Sequence, residues 1–252
     1  MSTRNKLYFA SDIHLGAGTY ASSRAREDRL VRWLDAIKTD AAEIFLMGDV
    51  FDFWFEYKTV VPKGYIRLLG KLAELSDSGI KLYMFKGNHD MWMFDYFERE
   101  FGATIITNEL IFERGGKKFF LHHGDGLGPG DKMYKVLKKI FRSPLCQWLF
   151  ARIHPNLGIG IANRWSQNSR IAHEKKENPK PGEQEWLVTY CRETLATTYY
   201  DYMIFGHRHF PLDIQLGQSR YVNLGEWINF YSYAVFDGEE LTLEFFEKAE
   251  VE

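Results

Sequence analysis

Short apolar runs and longer amphipathic stretches alternate along the first part of the chain. Residues 6–10, 43–47 and 80–85 are mainly apolar runs with the length of buried strands. Between them, 24–38 and 63–78 repeat apolar residues every three or four positions, which predicts two amphipathic helices. This alternation of strands and helices predicts a parallel sheet of the α/β class.

The second part of the chain shows short strand-like runs separated by turns. Runs 109–113 and 117–121 flank Arg114-Gly115-Gly116, which is typical of a hairpin turn, and a further strand is predicted at 202–205. Four more runs predict a closing β-meander at 212–216, 220–224, 231–236 and 241–246.

A helical insertion interrupts these strands. Residues 132–141 place apolar side chains on one helical face and lysines mostly elsewhere. Ser143-Pro144 is typical of a helix start, and this second helix should stop before Pro155. A third helix is predicted at about 157–177. We therefore expect a core formed by residues 1–130 and 181–252, and a helical cap formed by residues 131–180, called the insertion below.

The charge of the chain is concentrated in the insertion. The net charge is −2, but residues 131–180 hold 11 lysines and arginines and three acidic residues. The insertion therefore carries +8 and the remainder −10. Such a basic block indicates an anionic partner: a phosphorylated substrate, a nucleic acid or a membrane surface. A solvated helical face is the alternative.

The composition is ordinary for a globular enzyme. Hydrophobic residues make up 45% and charged residues 26% of the 252 residues, which excludes a disordered, collagen-like or coiled-coil chain. No apolar run approaches the roughly 18 residues that span a bilayer, and we expect no secretory signal. Two cysteines, Cys146 and Cys191, cannot form a disulfide framework, so a reduced, cytoplasmic location is the default expectation.

Polar residues follow five of the predicted strands at the point where each strand ends. Because open α/β sheets bind ligands outside the carboxyl ends of their strands, we expect these residues to converge on one edge. The clusters are Asp12-x-His14, Gly48-Asp49, Gly87-Asn88-His89-Asp90, His123-Gly124-Asp125 and Gly206-His207-x-His209. A shared functional site explains five such clusters better than unrelated surface loops do.

The residue types in these clusters indicate a metal site. Carboxylates, imidazoles and an amide oxygen suit divalent ions such as Mn²⁺, Fe²⁺ or Zn²⁺. Seven such ligands are too many for one ordinary ion, but they fit two ions about 3.5–4 Å apart. The neighbouring glycines let the backbone pass close to the cluster where a Cβ atom would clash. The sequence therefore predicts a two-metal centre.

The five motifs resemble those of the calcineurin-like metallophosphoesterases, and the resemblance spans residues 12–209. It implies an αββα sandwich, in which two mixed β-sheets pack face to face with helices outside. It also implies a phosphohydrolase with two divalent ions, Mn²⁺ being favoured. Carried over residue by residue, one ion takes Asp12, His14 and His209, the other takes Asn88, His123 and His207, and Asp49 bridges both.

The resemblance also implies a catalytic role for His89, whose ring Asp90 would hold. His89 directly follows the ligand Asn88, so it can reach a phosphoryl group or a leaving oxygen without binding metal. An imidazole suits proton transfer to a leaving group. A packing histidine is the alternative. His122 points opposite to His123 on its strand, so we expect it to have a core or supporting role.

A narrower similarity is to the branch of this family that cleaves UDP-2,3-diacylglucosamine to UMP and 2,3-diacylglucosamine 1-phosphate in lipid A synthesis. It rests on residues 48–54, 123–134, 141–144 and 168–170. It implies a nucleotide-lipid substrate and an acyl-chain channel in the insertion. The substrate-binding residues that it implies are Asn88, His89, Asp131, Tyr134, Ser169, Arg170, His173, Lys176 and His207.

The composition of the insertion favours a lipid substrate as well. Bulky apolar residues combined with positive charge suit an anionic membrane surface. We therefore expect a cytoplasmic protein attached peripherally to the cytoplasmic face of the inner membrane. The alternative is a helical hairpin whose apolar faces simply pack together. The sequence leaves the oligomeric state open.

Two residues depart from that branch and keep other functions open. His173 stands where the branch has Asn, and His89 stands where its best-known members have Arg. The chain is therefore a divergent member or a relative with another substrate, such as a soluble nucleotide polyphosphate or a phosphodiester. Nucleic acid is not expected, because the insertion is more apolar than a phosphate groove needs. A non-catalytic scaffold is the second alternative, although no predicted metal ligand is missing.

Overall fold

The structure is a computed structural model that describes residues 4–128, 132–174, 182 and 185–247, and two β-sheets lie at its centre. The first sheet contains β1 (Lys6–Ala10), β2 (Ala41–Leu46), β3 (Lys81–Phe85), β4 (Thr104–Ile106), β10 (Ser232–Phe236) and β11 (Leu241–Phe245). These strands lie in the order β11-β10-β1-β2-β3-β4. Strands β1 to β4 are parallel to one another, and β10 is antiparallel to both of its neighbours.

The second sheet contains β5 (Leu110–Arg114), β6 (Lys117–His122), β7 (Tyr202–Phe205), β8 (Pro211–Leu216) and β9 (Ser219–Leu224). The strand order is β5-β6-β7-β9-β8. The three inner strands are parallel, and an antiparallel strand lies at each edge. Strand β7 is buried at every position, as expected for an inner parallel strand that is covered on both faces.

Helices cover the outer face of each sheet. Apolar side chains from both sheets, including Phe9, Phe45, Phe119 and Val222, fill the space between them. Outside the first sheet pack α1 (Tyr20–Ile37), α2 (Ile66–Asp77) and α3 (Tyr96–Phe101), and outside the second sheet packs α7 (Trp186–Leu195). These layers confirm the predicted αββα sandwich.

The predicted closing β-meander is wrong. Strands β8 and β9 form one hairpin in the second sheet, whereas β10 and β11 form another hairpin in the first sheet. The connection after β9 therefore crosses from one sheet to the other. Alternating apolar residues predict each strand correctly, but they do not encode the sheet that a strand joins.

Several helix boundaries also differ from the prediction. Helix α1 begins at Tyr20, four residues early, because Thr19 and Ser22 form a capping box ahead of the apolar repeat. Helices α3 and α7 and strand β4 were not predicted from the sequence. In the insertion, α4 (Lys132–Phe141), α5 (Pro144–Phe150) and α6 (Pro155–Glu174) are helical, and Pro155 opens the third helix.

The insertion packs on aromatic side chains that lie in the loops after β2 and β3. Phe53, Phe55 and Trp92 form a cluster with Phe141 and Phe150 of the insertion. The Trp92 Nε1–H also donates a 2.7 Å hydrogen bond to the Phe141 carbonyl oxygen. The insertion thus lies beside the edge where β2 and β3 end. Among the described helices, none has the length and apolarity to cross a membrane.

Candidate metal centre

The predicted metal ligands lie directly after five parallel strands of the two sheets. Asp12 and His14 follow β1, Asp49 follows β2, and Asn88 follows β3. On the second sheet His123 follows β6, and the histidines of Gly206-His207-Arg208-His209 follow β7. Because the carboxyl ends of both sets of strands lie at one edge of the sandwich, the structure brings these side chains together.

One group of donors contains Asp12, His14, Asp49 and His209. One donor atom from each lies within 4.8 Å of every other. Asp12 Oδ1 and His14 Nε2 are each 3.2 Å from His209 Nε2. Asp49 Oδ2 is 3.9 Å from His14 Nε2. This spacing suits donors that surround a single cation.

A second group contains Asp49, His123 and His207, with donor atoms again within 4.8 Å of one another. His123 Nε2 lies 3.4 Å from Asp49 Oδ2 and 3.2 Å from the Asn88 side-chain oxygen. The carboxylate of Asp49 therefore belongs to both groups. A shared carboxylate is the arrangement that two neighbouring cations need.

The hydrogen bonds of the two carboxylates leave one oxygen of each for a cation. Asp12 Oδ2 accepts the His207 backbone N–H and Asp49 Oδ1 accepts the His89 backbone N–H, both at 2.8 Å. Asp12 Oδ1 and Asp49 Oδ2 are buried and have no hydrogen bond. Because a buried carboxylate oxygen without a partner is costly, these residues fit divalent ions.

The electrostatics of the site point the same way. Burial lowers the pKa of His14, but the nearby carboxylates of Asp12, Asp52 and Asp49 outweigh burial and raise it to about 10. For His123, the charge of Asp49 outweighs burial and raises the pKa to about 10. The negative charge of the site thus draws protons onto the two imidazoles. Cations would replace those protons and leave neutral rings as ligands.

The backbone at these positions is held in an unusual conformation. Seven described residues other than glycine have a positive φ, and five of them are predicted metal ligands. A left-handed backbone conformation raises the free energy of an L-residue by about 1–3 kcal/mol, and such residues occur often at functional sites. The five ligands and their φ angles are Asp12 at 57°, His14 at 50°, Asp49 at 52°, His207 at 68° and His209 at 54°.

Two glycines allow the close approach of backbone and ligands. A Cβ atom built on Gly87 would overlap the side chain and the backbone nitrogen of Asp49. One built on Gly206 would overlap the side chains of Ser11 and Asp12. The structure thus gives a steric reason for the glycines beside Asn88 and His207.

We expect Gly87→Ala to lower turnover by about tenfold to 10²-fold, because displacing a ligand by about 1 Å costs on that scale. Elemental analysis of the purified variant should show less bound metal than in the wild type. Gly70→Ala is the matched control, since a Cβ atom there meets nothing within 4 Å. Equal activity and metal content in the two variants would contradict the steric role of Gly87.

The surroundings of His89 differ from the prediction that Asp90 holds its ring. The buried carboxylate of Asp90 instead accepts backbone N–H groups of Gly87, Asp49, Val50 and Phe51, at 2.8 to 3.3 Å. The His89 ring Nδ1 lies 3.1 Å from the Asp52 carbonyl oxygen and 3.1 Å from Ser166 Oγ. Asp90 therefore links the loop after β3 to the loop after β2 through hydrogen bonds.

Asp52 is a candidate functional residue that was not predicted from the sequence. Its carboxylate oxygen lies 3.5 Å from His14 Nδ1 and 3.6 Å from His89 Nδ1. It thus supports a predicted ligand and the predicted catalytic residue, as carboxylates behind metal-binding histidines do. Its place three residues after Asp49 is the only signal in the sequence, and that spacing by itself is unremarkable.

The remaining predicted residues fall into two sets. Tyr134 donates a 2.6 Å hydrogen bond to the buried carboxylate of Asp125, and its ring centroid lies 6.4 Å from that of His207. His122 is buried, and its ring Nδ1 accepts the Gly124 N–H, in keeping with a supporting role. Outside the described residues lie Asp131 and Lys176, as do the side chains of Ser169, Arg170 and His173 in α6.

The chain is similar to known proteins over nearly its whole length. Residues 6–211 match a family model described as Calcineurin-like phosphoesterase. A Porphyromonas gingivalis protein described as UDP-2,3-diacylglucosamine hydrolase is 42% identical, over 98% of this chain and all of its own length. A Tolumonas auensis protein of the same description is 27% identical, over 93% of this chain and 94% of its own. A solved phosphoesterase from E. coli is 17% identical, with a TM-score of 0.47 over 96% of this chain and 93% of its own.

Proposed function

The chain belongs to the calcineurin-like phosphoesterase family, and from this premise we propose that it hydrolyses the pyrophosphate of UDP-2,3-diacylglucosamine. The products would be UMP and 2,3-diacylglucosamine 1-phosphate. The observation that carries the proposal is the buried carboxylate of Asp49, shared by two donor groups beside a basic, apolar insertion. The donor groups account for cleavage of a phosphate anhydride, and the insertion accounts for a lipid-bearing substrate.

The two donor groups would hold two divalent ions, with Mn²⁺ as our proposal for their identity. Asp12, His14 and His209 would bind one ion, Asn88, His123 and His207 the other, and Asp49 both. Such ions would supply Lewis acidity toward the pyrophosphate oxygens and a water molecule. The net hydrolysis joins a water oxygen to one phosphorus, breaks the bridging P–O bond and leaves the departing phosphate oxygen to take up a proton.

His89 would donate a proton to the departing phosphate. Its Nδ1 faces the Asp52 carbonyl oxygen, which can only accept a hydrogen bond, so Nδ1 carries a proton. Nε2 is then the nitrogen that takes up a further proton and delivers it to the departing oxygen. The carboxylate of Asp52, 3.6 Å from Nδ1, would stabilise the ring while it is positively charged.

We propose that the insertion, residues 131–180, is a cap that binds the lipid part of the substrate. A cavity of about 330 Å³ beside it is lined by Gly126, Lys135, Lys138, Lys139 and Arg142. Lys138 is paired with the buried Asp125 carboxylate at 2.7 Å, and the other three cations around the cavity suit the anionic part of a nucleotide-lipid. We propose that Tyr134, Asp131, Ser169, Arg170, His173 and Lys176 of the insertion contact the substrate together with Asn88, His89 and His207.

The exposed surface of the insertion supports peripheral attachment to the anionic cytoplasmic face of the inner membrane. Leu145 is 65% exposed and Trp148 54% exposed, and the Arg152 guanidinium lies 4.7 Å from the Trp148 ring centroid. Leu149, Leu157, Ile161 and Trp165 are also exposed. Apolar side chains beside cations suit the boundary between lipid headgroups and acyl chains.

The experiment that tests the proposal is turnover of UDP-2,3-diacylglucosamine in anionic lipid vesicles with Mn²⁺, followed as release of UMP. We expect turnover of this lipid and only slow turnover of soluble UDP-sugars, which cannot contact the apolar surface. If soluble nucleotide polyphosphates or aryl phosphodiesters are cleaved and the lipid is not, the chain acts on a different substrate.

A pair of variants tests the membrane surface in the same assay. Leu145→Glu should weaken vesicle binding and lower lipid turnover roughly tenfold. The substitution removes a leucine that would be buried in the lipid bilayer, and it adds a negative charge. Ile66→Glu is the control, since Ile66 is 72% exposed on α2 of the core. If both variants bind vesicles equally well, the insertion is not the membrane-facing surface.

A further inference from the structure

We propose that Ser166 is a positioning residue that makes the orientation of His89 depend on the docking of the insertion. The proposal deepens the function proposed above and rests on it for the role of His89. Ser166 lies in α6, is 6% exposed, and places Oγ 3.1 Å from His89 Nδ1. His89 lies 77 positions earlier in the chain, in the loop after β3 of the core. A side chain of the insertion thus enters the candidate active site.

The hydroxyl oxygen of Ser166 is one of three oxygen atoms that surround His89 Nδ1. The Asp52 carbonyl oxygen lies at 3.1 Å and an Asp52 carboxylate oxygen at 3.6 Å. The carbonyl and carboxylate oxygens can only accept a hydrogen bond, so Nδ1 carries a hydrogen. Ser166 Oγ accepts this same hydrogen together with the Asp52 oxygens. This arrangement fixes one tautomer of the neutral ring and leaves Nε2 as the atom that exchanges a proton with the substrate.

The two residues that hold the ring come from different parts of the fold. Asp52 belongs to the core loop after β2, whereas Ser166 reaches the ring only when α6 lies against the core. Close packing sets that position: a Cβ atom on Gly158 would lie 2.7 Å from the Tyr57 hydroxyl and 3.2 Å from the Phe150 ring. The docked insertion therefore completes the surroundings of His89, and displacing it would leave the ring held by Asp52 alone.

The orientation of the His89 ring therefore depends on where the insertion lies. Substrate seated under the insertion would react with a fully oriented imidazole. A substrate that enters while the insertion is displaced would meet a ring that is free to rotate. The insertion would thus couple substrate capture to proton transfer, beyond its contribution to binding.

The first test is Ser166→Ala, examined by nitrogen-15 NMR of the His89 ring and by kinetics on two phosphodiesters. We expect the Nδ1 resonance to shift and broaden. For a phenyl ester, whose leaving group needs a proton, kcat should fall roughly fivefold, the scale of one lost hydrogen bond, with KM unchanged. For the 4-nitrophenyl ester, whose leaving group departs without a proton, kcat should change little. Ser166→Thr keeps the hydroxyl and should restore both properties.

Two controls separate this role from general damage to the insertion. Ser143→Ala removes the serine directly before α5, whose side chain makes no capping hydrogen bond, so it should leave both readouts unchanged. Gly158→Ala should displace α6 and reproduce the Ser166→Ala resonance, whereas Gly160→Ala, whose Cβ meets nothing within 4 Å, should not.

The outcomes are decisive in either direction. An unchanged His89 resonance in Ser166→Ala, or an equal loss on both esters, would overturn the positioning role. Neither readout uses the lipid, so failure to cleave UDP-2,3-diacylglucosamine would refute the proposed substrate and leave the test of Ser166 intact.

Discussion

Asp49→Asn is expected to lower turnover by about 10³-fold or more and to remove at least one of two bound metal ions. The substitution keeps the size of the side chain, and Asn tolerates the left-handed backbone at φ 52°, so the effect reports the lost charge. Asp49 contributes to both donor groups, and metal-ion catalysis supplies several kcal/mol of transition-state stabilisation. Metal content by elemental analysis and kcat with saturating Mn²⁺ measure the two effects.

The control for this variant is Asp77→Asn, which removes an exposed carboxylate near the end of α2. It should keep full metal content and activity. A purified Asp49→Asn protein with two tightly held ions and wild-type turnover would refute the shared-carboxylate site. Loss of folding, seen by circular dichroism, would be inconsistent with the conservative design of the substitution.

His89→Ala is expected to lower kcat by about 10²–10⁴-fold, the usual scale of general acid catalysis, while both metal ions stay bound. The ring is held through Nδ1 by Asp52 and Ser166, which lie outside the two proposed ligand sets. The loss should be larger for a phenyl than for a 4-nitrophenyl phosphodiester, because the second leaving group departs without a proton. Rates on both esters and elemental analysis provide the measurement.

His154→Ala serves as the matched control, because His154 is an exposed histidine of the insertion. Its activity should equal that of the wild type. If His89→Ala loses metal but retains its activity per bound ion, then His89 is a ligand and its proposed role in proton transfer is wrong.

The candidate ligands were predictable from sequence because each directly follows a recognisable apolar strand. Asp12, Asp49 and His123 stand at strand ends that parallel topology brings to one edge, so local patterns were sufficient to group them. The family resemblance was misleading for Asp90. It implied that Asp90 holds the ring of His89, but the Asp90 carboxylate accepts four backbone N–H groups instead.

The features that sequence could not supply depend on contacts between distant segments. Strand β10 pairs with β1 from the opposite end of the chain, with Phe236 opposite Leu7, so its sheet could not be read from its own alternation. Ser166 reaches His89 across 77 positions, and only the packing of α6 on the core reveals this contact. Periodicity identifies elements, whereas their partners are a property of the folded chain.

The left-handed backbone at five ligand positions restricts how the metal preference of this site can be redesigned. Asp, Asn and His are the residues other than glycine that best tolerate this conformation, and Asp and His also supply hard and borderline donors. Cys and Glu bind metals as well, but they lack that tolerance. Exchanging His14 or Asp49 for a thiolate to favour a softer ion would therefore strain the chain even where the new donor suits the metal. The backbone, as much as the coordination chemistry, selects the amino acids of this centre.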